Sequence, residues 1–63
     1  MEITNAKQAR AFVKAWQHDS PTRRARFFRI VADDLRRAAN LVPRHSPERR
    51  QGYIDAADVL DAA

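Results

Sequence analysis

The sequence predicts an all-α fold, a small three-helix bundle, and three observations carry that reading. Apolar residues recur at three- and four-residue steps in three separate stretches. Two Ser-Pro pairs, Ser20-Pro21 and Ser46-Pro47, divide those stretches. The 63-residue chain holds one glycine, Gly52, and no stretch with the alternation of a half-buried strand.

The first helix is expected over about residues 5–18. Asn5 is a good N-cap, and Gln8 stands three residues on, where a capping box places its second member. Ala6, Ala9, Phe12, Val13 and Trp16 then share one face, with Lys7, Arg10 and Lys14 opposite. The second helix, 21–42, opens with serine at the N-cap and proline at the first helical position. Phe28, Val31, Leu35, Ala38 and Val42 form its apolar row, flanked by Phe27. Pro43 ends it, because a residue before proline avoids the α region. The third helix, 47–62, starts with the same Ser-Pro signal and aligns Tyr53, Ala56, Ala57 and Leu60. Gly52 sits on the shoulder of that row, where a neighbouring backbone can come close. The helix closes on Asp61-Ala62-Ala63 with no glycine cap and no basic last turn, so its end is expected to fray or to continue in a longer chain.

Short links favour antiparallel neighbours. The simplest arrangement is a long central second helix packed by the other two; the alternative is a helical hairpin that completes its core by dimerising. A chain this short buries only about 60% of its unfolded surface. Ile30 and Leu41 project to one side of the second helix's stripe and Ile54 to one side of the third's. Together these features predict a homo-oligomer. Trp16, at the end of the first helix beside His18 and Asp19, is the aromatic expected to be partly exposed and to anchor a partner, whereas Phe12, Phe27, Phe28 and Tyr53 are assigned to the core.

No cysteine is present, so there is neither a disulfide nor a thiolate metal site. No apolar run reaches the ~20 residues of a membrane span, and Met1-Glu2-Ile3-Thr4 lacks the basic start and apolar stretch of a signal peptide. A cytoplasmic protein without a membrane partner is expected. His18 and His45 are far apart in sequence, and Ser20 and Ser46 read as caps rather than nucleophiles. Asp33 and Asp34 are adjacent and point to different helix faces. A 63-residue bundle is also expected to lack a pocket of the ~300 Å³ that small ligands occupy. These features argue against an enzyme, a metal site, a cofactor or a small-molecule substrate.

The charge is more informative. Residues 1–50 carry all twelve basic side chains and five acidic ones, net +7, while residues 51–63 carry only Asp55, Asp58 and Asp61, net −3. Such a division suits a polyanion, an acidic protein face, or self-association through opposite charges. Ser20-Pro21-Thr22-Arg23-Arg24 recurs as Ser46-Pro47-Glu48-Arg49-Arg50. Each segment puts an arginine pair in a first helical turn, where cations are disfavoured by ~0.3–1 kcal/mol each. Free backbone N–H groups, a serine hydroxyl and guanidinium forks make such a start suited to an anion. Pairing with Asp19, four residues before Arg23, competes with that role.

Arg26, Arg29, Arg36 and Arg37 form a basic face on the second helix, away from Phe28 and Leu35. Asp33, four residues from both Arg29 and Arg37, is placed to neutralise part of it. A helix-turn-helix fits poorly, since the second helix is too long, the turn holds Pro43 and Pro47, and three aspartates would face the polyanion. The expected function is that of a small, basic, non-enzymatic binding protein, a nucleic-acid-binding or nucleic-acid-associated regulator. The alternative is a protein-interaction module that docks a helix face on a larger protein through Trp16, Ile30, Leu41 and Ile54.

Overall fold

The computed structural model describes residues 2–63; Met1, the first residue of the start discussed above, lies outside them. Three helices form, α1 (Ala6–Ala15), α2 (Pro21–Leu41) and α3 (Pro47–Ala62), and no strand appears among the described residues.

Helix α1 begins as its sequence requires. Asn5 Oδ1 accepts the Gln8 N–H at 2.9 Å. The Gln8 amide oxygen reaches back one residue further than a capping box needs, accepting from the Thr4 N–H and the Thr4 hydroxyl at 2.6 and 2.7 Å. The expectation of a helix to His18 is corrected. The chain tightens into three-residue turns at Trp16 and Gln17, whose N–H groups donate to Val13 and Lys14. Helix α2 stops at Leu41, and Val42 is extended ahead of Pro43.

The core consists of Ile3, Ala9, Phe28, Ala32, Leu35, Ala56, Ala57 and Leu60, with Ala39 also buried. Phe12, Val13, Val31, Tyr53 and Val59 pack around it, half-buried. Of the row expected for α2, Phe28 and Leu35 are buried and Val31, Ala38 and Val42 half-buried, while Ala32 and Ala39 beside them are buried as well, where their small side chains let α3 approach.

The central position also differs from expectation. It is α3 that packs against both other helices, while no Cα of α1 lies within 8 Å of one in α2. Gly52, Ala56 and Ala57 give α3 small flanks. A Cβ at Gly52 would collide with the Thr4 carbonyl oxygen, so the backbone leading into α1 sits directly on α3 where the sequence allowed a close approach. Between α1 and α2, by contrast, four aromatic rings fill the space. Phe12 lies 5.6 Å from Phe27 and 5.8 Å from Phe28, and Trp16 lies 4.8 Å from Phe27, centroid to centroid. Rings of that bulk join the two helices at their shared end while holding the backbones apart. Helix α3 runs antiparallel to α2, with its Asp58 and Asp61 beside Arg36 and its Arg49 and Tyr53 beside Ala38 and Val42. The molecule is elongated, 39 × 18 × 18 Å.

Candidate interaction surface

The basic residues singled out in the sequence part into two groups. Arg36 is engaged within the fold. Its guanidinium bonds Asp61 at 2.5 Å and Asp58 at 3.2 Å, across to α3, and lies 4.0 Å from Asp33. Hydrogen bonding to the Asp61 carboxylate, above all, holds its pKa above the ordinary arginine value against the opposing effect of desolvation. Because its folded pKa is raised, Arg36 contributes stability that is fully present below the pH at which a free guanidinium titrates and is lost as pH rises through the raised folded value. The acidic end of α3 is thus partly spent on α2, a long-range pairing whose only sequence signal was the opposite charge of the two segments.

The expected Asp33 pairs with Arg29 and Arg37 do not form. Arg37 bonds Asp34 at 3.2 Å instead, three residues back, and Asp33 turns toward Arg36. Asp19 does not neutralise Arg23 either: its carboxylate accepts the Ser20 N–H at 2.8 Å. Arg24 donates to the Gln17 carbonyl at 3.0 Å, binding the end of α1 to the start of α2. Among the described residues, Arg23, Arg26 and Arg29 are exposed and belong to no ion pair. They lie on the first three turns of α2, and no acidic residue interrupts the chain between Pro21 and Ala32.

Arg49 and Arg50 are exposed at the start of α3, with Arg49 beside the C-terminal end of α2. Ser20 and Ser46 hold the N-cap positions, but neither hydroxyl bonds a backbone N–H, so the expectation that they act as side-chain caps is corrected. Proline at the first helical position removes one of the unpaired N–H groups of the helix end and fixes the local φ, which favours the start of each helix.

Among the described residues four large apolar side chains are exposed: Leu41 at 84%, Ile30 at 61%, Trp16 at 38% and Phe27 at 36%. Trp16 is partly exposed, as its position suggested. Phe27 departs from its core assignment, because the ring covers the edge of the aromatic cluster and not its centre. Ile54 is half-buried on α3 and is not among these exposed residues.

Open clefts of about 350 and 320 Å³ lie between α2 and α3 and between α1 and α3, so the expectation that so small a bundle lacks that volume is corrected. The one between α2 and α3 is bordered by Arg29, Asp33, Arg36 and Asp61. Among the described residues no group of three or more His, Cys, Asp or Glu is placed to hold a metal ion, and no helix is long and apolar enough to cross a membrane. No family model, curated protein or solved structure matches the chain significantly.

Proposed function

We propose that this chain is a non-enzymatic nucleic-acid-binding module that engages phosphates through the first half of α2. The observation that carries the reading is the run of Arg23, Arg26 and Arg29, exposed on successive turns without a carboxylate partner. Such a run supplies the electrostatic part of nucleic-acid affinity. The partly exposed Trp16 and Phe27 at the same end add ring surface of the kind on which unpaired bases stack. Arg36 and Arg37, already paired to aspartates, have a smaller part.

The test is fluorescence anisotropy of mixed-sequence DNA and RNA oligonucleotides, duplex and single-stranded, across a salt series. Binding should weaken steeply with salt. Arg23→Gln, Arg26→Gln and Arg29→Gln together should flatten the logarithmic salt slope on duplex DNA by about 3, since each phosphate contact contributes about 0.9. No binding at low salt to any of these oligonucleotides disproves the proposal.

A second reading, the protein-interaction module, is favoured by the exposure of Ile30 and Leu41. It predicts affinity for a folded protein that survives the triple arginine substitution and falls with Leu41→Ser.

A further inference from the structure

The outer face of α2 is apolar at two points and charged between them, in an order that matches itself when reversed. Ile30, Asp34, Arg37 and Leu41 follow one another at steps of four, three and four, the spacing of a coiled-coil seam. All four are exposed: Ile30 and Leu41 as given above, Asp34 and Arg37 with side chains 65% and 78% accessible. The protein as a whole exposes 4787 Å², where a folded monomer of this mass exposes about 4100 Å². That surplus is of the scale that one side of a specific interface covers, about 800 Å².

We propose that this face binds the same face of a second copy, with the two α2 helices antiparallel about a two-fold axis midway between Asp34 and Arg37. In that register Ile30 meets the second copy's Leu41 and Asp34 meets its Arg37, each contact occurring twice. A parallel pairing would set Asp34 against Asp34 and Arg37 against Arg37, so charge selects the antiparallel form. The Asp34–Arg37 bond within each helix is exchanged for two bonds between helices, and the two isolated apolar residues become a pair of closed contacts. At 1.5 Å per residue the two copies of the Arg23–Arg29 segment would lie about 28 Å apart along the helices. The pairing does not depend on nucleic-acid binding, and its test contains none.

Sedimentation velocity of the intact chain, from micromolar to millimolar concentration, should show a reversible shift from 7.2 kDa to twice that mass. Ile30→Ser with Leu41→Ser should raise the dissociation constant about tenfold or more while helical circular dichroism stays unchanged. Asp34→Arg alone and Arg37→Asp alone should each weaken the dimer by placing like charges in contact. The double exchange, Asp34→Arg with Arg37→Asp, should restore it. A monomer at every concentration, assembly beyond a dimer, a dimer indifferent to Ile30 and Leu41, or a double exchange that fails to restore association would each overturn the proposal.

Discussion

On its inner face α2 presents Phe28, Ala32, Leu35 and Ala39, all buried; on its outer face it presents Ile30, Asp34, Arg37 and Leu41, all exposed. The two rows have the same four-three-four spacing, offset by two residues, which is a little over half a turn. Ile30 and Leu41 are larger than the alanines that were buried instead. Two large apolar residues do not by themselves bring a row inward. The inner row wins because its small side chains, facing Ala56 and Ala57, let α3 approach closely. Its charge-free sequence also leaves no carboxylate or guanidinium to desolvate. The outer row combines two good apolar contacts with an ion pair that a single chain has no means to cover.

Breaking the inner row should have the largest effect. Phe28→Ala removes a buried ring that touches Phe12, and a loss of about 3–5 kcal/mol approaches the whole stability available to a domain of this size. Thermal unfolding followed by circular dichroism should show the variant largely unfolded at room temperature. A fold that survives with a slight shift would mean that the aromatic end of the bundle does not hold it together.

Close approach itself can be tested at Gly52. In an unobstructed helix, Gly→Ala gains about 1 kcal/mol. Here the added methyl group meets the Thr4 carbonyl oxygen, and overpacking of this kind costs about 1–3 kcal/mol. Gly52→Ala should therefore be destabilising on chemical denaturation, opposite in sign to the helix-propensity effect. A gain in stability would show that the segment before α1 is not held against α3.

The smallest effect is expected on the outer row. Leu41→Ser, measured at a concentration low enough for the monomer to dominate, should change unfolding stability by no more than about 0.5 kcal/mol. The contrast with Phe28→Ala, on the same helix, separates what folds the chain from what is left for association. A large loss at Leu41 in the monomer would place that residue in the core and remove the basis for the paired seam.

The local features were legible in the sequence because their causes are local. Ser-Pro starts α2 and α3 through the fixed φ of proline, Pro43 stops α2 by restricting Val42, and Asn5 and Gln8 cap α1 within four residues of each other. The exposure of Ile30 and Leu41 and the close approach at Gly52 followed from helical periodicity and from the absence of a side chain. The tertiary structure decided the rest. That Ala32 and Ala39 are buried more deeply than Val31 and Val42 depended on the size of the residues across the interface. Arg36 was taken out of the basic face by Asp58 and Asp61, more than twenty residues away, and Arg37 is paired to Asp34, which leaves Arg26 and Arg29 of that face, with Arg23 one turn earlier, exposed and unpaired. Helix α3 became the centre because alanines and one glycine let neighbours approach on both of its sides, whereas four rings kept α1 and α2 apart. Such outcomes turn on distances between segments remote in the chain, and periodicity within one segment carries no information about them.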